Sequence, residues 1–139
     1  MRQQQAPSGA VYDGTCLIVE DSEFDRERLR RILGRAYGGM RVEFASSIEA
    51  ARRALSAGDK ALILLDNNLP DGLGANFALE LACDDRHAET PVIMVSDWPS
   101  PFMWQKAASA GVSYVLSKSE FAGRYVKAAL EAKPTRRVH

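Results

Sequence analysis

Short apolar runs punctuate the chain, and the hydrophobic positions between them change period. Thr15–Val19, Ala61–Leu65 and Val92–Val95 are almost continuously apolar, while Arg41–Phe44 and Val112–Leu116 are shorter or mixed. Runs of this length, bounded by polar residues, read as strands buried on both faces. In Phe24–Tyr37, by contrast, Leu29, Ile32, Leu33, Ala36 and Tyr37 recur at helical spacing with charges between them, and Gly38-Gly39 follows as a stop. Ser46-x-x-Glu49 has the spacing of a capping box and precedes an alanine-rich helix ending near Gly58. Ala75–Cys83, Phe102–Ala110 (closed by Gly111) and Phe121–Ala132 read as three further helices. Asn67–Gly74, N-N-L-P-D-G-L-G, is loop chemistry punctuated by Pro70 and Gly72. Strands alternating with helices five times over predict a doubly wound α/β domain, a five-stranded parallel sheet with five helices. It spans residues 15–132, with tails at 1–14 and 133–139.

Composition narrows the function classes. The 139 residues are 46% hydrophobic and 26% charged, which suits one ordinary globular domain. Eighteen basic residues balance eighteen acidic ones, so a strong pull on nucleic acid or an anionic membrane is not expected. The longest apolar run is far short of the roughly 20 residues of a membrane span. Met1–Ala10 is polar and lacks the core of a secretory signal, which makes the cytoplasm the expected location. Cys16 and Cys83 sit in apolar-periodic segments far apart, and are expected to be buried reduced thiols.

The polar residues that follow the strands carry the chemistry. Glu20 and Asp21 follow the first, Asp66 the third, Ser96 the fourth and Lys118 the fifth. Ligands of open parallel sheets bind outside these carboxyl ends. Carboxylates 4 Å apart repel by about 1–4 kcal/mol per pair in a high effective dielectric. A hard divalent cation relieves that repulsion, and an oxygen-only ligand set points to Mg²⁺. The lysine ammonium and serine hydroxyl suit a bound anion. Metal, ammonium and hydroxyl around one carboxylate are equipment for phosphoryl transfer. Neither Gly-x-x-x-x-Gly-Lys-Ser/Thr nor Gly-x-Gly-x-x-Gly after a strand occurs, so the phosphoryl group is not expected to arrive as a held nucleotide.

With these residues in place the chain resembles the receiver domain of two-component response regulators. The matching stretches are L-I-V-E-D (17–21), L-L-D-N-N-L-P-D-G-L-G (64–74), V-I-M-V-S (92–96) and A-G-V-S-Y-V-L-S-K (110–118). The resemblance implies a flavodoxin-like strand order of 2-1-3-4-5. It makes Asp66 the phosphoacceptor, taking a phosphoryl group from a histidine on a sensor histidine kinase or a histidine phosphotransfer protein. It makes Glu20, Asp21, Asp66 and the backbone carbonyl of Asn68 the Mg²⁺ ligands, Ser96 the switch hydroxyl and Lys118 the partner of a phosphoryl oxygen. Such a domain is a signalling element and not an enzyme, though it assists its own phosphorylation and dephosphorylation. With few residues after the last helix, a stand-alone receiver is expected, working by contact with a downstream protein or as a phosphate sink.

The chain departs from the family pattern in four places. Val115 stands where Tyr or Phe is usual, and Tyr114 belongs on the opposite face of a regular strand. Asp97 adds charge after Ser96 and is expected to point away. Ser119 replaces the usual cis proline, so the Lys118–Ser119 bond is expected to be trans. Leu73 replaces a frequent Asp or Ser. Ser119–Tyr125 (S-E-F-A-G-R-Y) partly resembles the motif of single-domain receivers paired with HWE/HisKA2-type kinases, but Phe121, Tyr125 and Ala129 also suit a buried stripe. Trp98–Trp104 is either core or an exposed partner surface. Asp25, Arg26, Glu27, Arg28, Arg30 and Arg31 read as a solvated face with Glu27–Arg31 pairing. Two other classes stay open: a receiver-like binding module that is never phosphorylated, and a haloacid-dehalogenase-like phosphatase. The phosphatase needs a second Asp as general acid where this chain has Asn68, which cannot shuttle a proton.

Overall fold

The computed structural model describes residues 14–98 and 100–132. Five strands, β1 (Thr15–Val19), β2 (Arg41–Ala45), β3 (Leu62–Asp66), β4 (Val92–Val95) and β5 (Tyr114–Leu116), form one parallel sheet in the order β2-β1-β3-β4-β5. The helices are α1 (Glu23–Ala36), α2 (Ile48–Ala57), α3 (Gly74–Ala82), α4 (Pro101–Ser109) and α5 (Gly123–Glu131). A two-stranded antiparallel ribbon, Asn68–Leu69 with Gly72–Leu73, shapes the loop after β3.

Alternation along the strands builds two cores. Leu17, Val19, Ile63, Leu65, Val92 and Met94 face α2, α3 and α4 and pack with Ile48, Leu55, Phe77 and Met103. Cys16, Ile18, Leu62, Leu64, Ile93 and Val95 face the other way, against Leu29 and Leu33 of α1 and Val126 and Ala129 of α5. Both faces of each central strand therefore belong to cores, which is why these strands read as unbroken apolar runs. Among the described residues no helix is long and apolar enough to cross a membrane.

Several local expectations need correction. Ser47, not Ser46, caps α2, its Oγ accepting from the Ala50 N–H at 3.0 Å. The Ser46–Glu49 box does not form, because the Asp71 carboxylate accepts from the N–H groups of Ile48 (2.8 Å) and Glu49 (3.0 Å). Cys16 is buried, and burial pushes its thiol far up. Cys83, however, is exposed, since it caps α3 one residue beyond the buried Leu81 and Ala82. Glu27 pairs with Arg30 at 2.9 Å instead of Arg31. Val112 lies outside β5, its N–H donating to Ala107 O at 3.0 Å as α4 closes. Phe121, a loop residue before α5, is buried all the same.

Gly74 ties the fold to the site. A Cβ there would overlap the Asp66 carbonyl oxygen and come to 3.0 Å from Asn67 Cα. The Gly74 N–H donates to Asn67 O at 2.8 Å, and Asn67 Oδ1 accepts from Ala75 N–H at 2.9 Å, so α3 starts directly against the Asp66 backbone. Gly74→Ala should cost about 1–3 kcal/mol of stability. Gly34→Ala, in the exposed interior of α1 with nothing within 4 Å, should instead stabilise by about 0.5–1 kcal/mol. Urea denaturation of both variants checks the pair; equal effects would contradict the close-approach argument.

Candidate functional site

The strand ends place the acidic groups. The Glu20 N–H donates to Ala45 O at 2.9 Å, continuing the β1–β2 ladder by one step, and its Oε2 accepts from Ser22 N–H at 3.1 Å. Ser22 then caps α1 through the Asp25 N–H (3.3 Å), which turns the chain away just after Asp21. Asp66 ends β3 opposite Val95, is almost fully buried, and its Oδ1 accepts from Asn68 N–H at 3.3 Å. One carboxylate oxygen from each of Glu20, Asp21 and Asp66 falls in a group within 4.8 Å of one another. Glu20 is buried like Asp66, whereas Asp21 is open to solvent.

Lys118 joins the cluster from beyond β5, and Ser96 follows β4, the strand between β3 and β5. Lys118, two residues past β5, brings its Nζ to 3.0 Å from Glu20 Oε1 and 3.8 Å from Asp66 Oδ2. It also donates to Asp25 Oδ2 at 2.7 Å. Ser96, next after β4, is fully buried and anchored by its N–H to Leu116 O at 2.9 Å. Thus Glu20, Asp21, Asp66 and Lys118 come together around one point, and Ser96 follows the residue paired with Asp66.

Burial sets the electrostatics. Loss of solvent, reinforced by the Asp66 charge, raises the Glu20 carboxyl to about 7 against the opposing pull of the Ser22 N–H and Lys118. Burial also raises Asp66, with Lys118 and the Asn68 N–H working the other way. For Lys118 burial disfavours the ammonium, but the hydrogen bond to Asp25 and the negative charges of Glu20 and Asp66 outweigh it and the net shift is upward. Among the described residues two buried side-chain atoms still lack a hydrogen-bond partner, Glu20 Oε1 and Ser96 Oγ. Lys118 reaches Glu20 Oε1 at ion-pair distance without hydrogen-bond alignment. A buried carboxylate oxygen without a hydrogen bond, within an all-oxygen donor set, fits a hard divalent cation, and a hydroxyl without one fits an anion acceptor.

The departures resolve structurally. Val115 faces the α2–α4 side and Tyr114 the α1–α5 side, where it stacks edge-on against Tyr125 at 5.1 Å. Asp97 and Leu73 are exposed, and no peptide bond among the described residues is cis, Lys118–Ser119 included. Phe121 and Ala129 are buried, so the S-E-F-A-G-R-Y segment serves the packing of α5. Trp98 (82%), Phe102 (74%) and Trp104 (51%) are exposed, and of the described residues of that segment only Met103 joins the core. Asp25, expected on a solvated face, instead grips Lys118. Its place four residues after Asp21, on the first turn behind the Ser22 cap, was the available signal.

A carboxyl raised above its ordinary value holds its proton longer in the folded chain than in the unfolded one. Between about 4.5 and about 7, Glu20 therefore makes the folded state less stable as pH rises, and the penalty is complete above that window. In metal-free protein the melting temperature of Glu20→Gln should gain on wild type by a few degrees across this interval. A gap that is constant, or that narrows with pH, would contradict the burial of this carboxylate.

Comparison with known proteins agrees with the geometry. The model of the response regulator receiver domain matches residues 16–130. The phosphorylated cyanobacterial phytochrome response regulator RcpA superposes with a TM-score of 0.72 at 21% identity, covering 86% of this chain and 90% of that one. The Mn²⁺-bound form of the response regulator Rcp1 gives 0.72 at 20% identity, over 88% and 99%. The chemotaxis protein CheY4 of Vibrio cholerae gives 0.71 at 23%, over 86% and 98%. No curated protein sequence matches. With the parallel sheet, its strand order and the acidic strand edge, the match over residues 16–130 means that the chain belongs to the response regulator receiver domains, the signalling domains of two-component systems.

Proposed function

We propose that this receiver accepts a phosphoryl group on Asp66 from a phosphohistidine of a sensor kinase or phosphotransfer protein, in a Mg²⁺-dependent reaction. The observation that carries the reading is the gathering of Glu20, Asp21 and Asp66 with Lys118 at one strand edge. An Asp66 carboxylate oxygen forms the new bond to phosphorus as the P–N bond to the donor imidazole breaks, the electron pair staying on nitrogen. Lys118 lies within ion-pair reach of Asp66 and offsets the added negative charge. The unpartnered Ser96 hydroxyl donates to a phosphoryl oxygen. Glu20, Asp21, Asp66 and the Asn68 backbone carbonyl hold the cation. Bound there, Mg²⁺ supplies charge neutralisation for the phosphoryl oxygens.

The switch differs from one built on an aromatic at the strand. Val115 has no ring to swing towards Ser96, and Tyr114 is engaged with Tyr125 on the α1–α5 face of the sheet. The phosphorylation signal is carried instead by the rearrangement of Ser96 and Lys118, and read by a partner protein or spent as a phosphate sink. Hydrolysis of outside phosphate esters does not fit, since Asn68 stands where a general acid is needed.

Incubation with a small phosphodonor and Mg²⁺ should add the mass of one phosphoryl group. Chelation of the metal or Asp66→Asn should abolish the gain, and Lys118→Met should slow it by at least roughly 100-fold. No gain at all, or one that survives Asp66→Asn, would show a receiver that binds without being phosphorylated there.

A further inference from the structure

The hydrogen bond of Lys118 goes to Asp25 at 2.7 Å, a residue outside the carboxylate group of Glu20, Asp21 and Asp66. The two residues are 93 positions apart, so the contact joins the end of β5 to the first turn of α1. The ammonium is largely shielded, with 13% of its side chain exposed, while Asp25 keeps 21%. Its other two carboxylate neighbours, Glu20 and Asp66, are groups a cation would also claim.

That competition has a definite sign. When a divalent cation takes Glu20 and Asp66, Lys118 loses the attraction of both and is repelled by the cation. An ammonium with little access to water cannot simply be solvated in compensation. Asp25 supplies an anion that the cation does not take, on the outer side of the cluster. We propose that Asp25 is a positioning residue that parks Lys118, so that the ammonium keeps an anionic partner when Mg²⁺ takes Glu20 and Asp66. The inference rests on the Mg²⁺ reading of the site, but not on phosphorylation. Without Asp25 the lysine leans on Glu20 and Asp66, and the cation must displace it from its last partners.

The test is a double-mutant cycle on the full chain, with Mg²⁺ alone as ligand and affinity read by calorimetry at high salt. Asp25→Asn should weaken Mg²⁺ binding on the order of tenfold in the Lys118 protein and several-fold less in a Lys118→Gln background. Equal losses in both backgrounds would mean that Asp25 acts only through its own charge, and would overturn the proposal. So would an unchanged affinity in Asp25→Asn when wild type binds. If wild type itself binds no Mg²⁺, the metal reading falls and this inference with it, an outcome distinct from the first two. A crystal structure of metal-free Asp25→Asn decides the matter if Lys118→Gln does not fold. Lys118 Nζ should then close from its present 3.8 Å to hydrogen-bond distance of Asp66 Oδ2, and an ammonium left in its present place would refute the parking role.

Discussion

Three carboxylates share a strand edge with one ammonium, and two of the three, Glu20 and Asp66, are buried. At 4 Å each like-charged pair costs about 1–4 kcal/mol even when well screened, and loss of water adds to it. Lys118 relieves part of the excess. The rest shows as raised carboxyl groups at Glu20 and Asp66 and as a carboxylate oxygen without a hydrogen bond. A site held in this state favours whatever brings positive charge, and so links the affinity for a cation to the stability of the fold.

The scaffold enforces the arrangement because the crowded groups sit on its least deformable part. β1, β3 and β4 are buried throughout, with cores on both faces, so the ends of these strands cannot move apart without disturbing both. The loop after Asp66 is tied down equally closely. Asn67 holds the start of α3, Gly74 lies against the Asp66 carbonyl, and Asp71 holds the start of α2. Asp66 thus sits with its backbone against the start of α3 and its carboxylate facing Lys118 from beyond β5.

Much of this was legible in the sequence, for physical reasons. Unbroken apolar runs such as Leu62–Leu65 reveal a strand covered on both faces, and the polar residue that ends each run marks the site. Glu20, Asp21, Asp66 and Lys118 were found that way. Less visible were contacts between residues distant along the chain. Asp71 displaces the expected Ser46–Glu49 box through a bond spanning 22 residues, and Asp25 meets Lys118 across 93. Cys83 illustrates a second limit: at a helix terminus one step of rotation separates the core from solvent. Glu27 found Arg30 before Arg31, since both neighbours are in reach on a helix surface.

The central claim is that this crowded edge is a cation and phosphoryl site. A crystal structure with Mg²⁺ and a tetrahedral fluoride mimic of the phosphoryl group tests it most directly. The ion should be coordinated by Glu20, Asp21, Asp66 and the Asn68 carbonyl, with Ser96 Oγ and Lys118 Nζ bonded to the mimic on Asp66. An edge that stays empty at saturating ligand, with Ser96 Oγ still without a hydrogen bond, would contradict it.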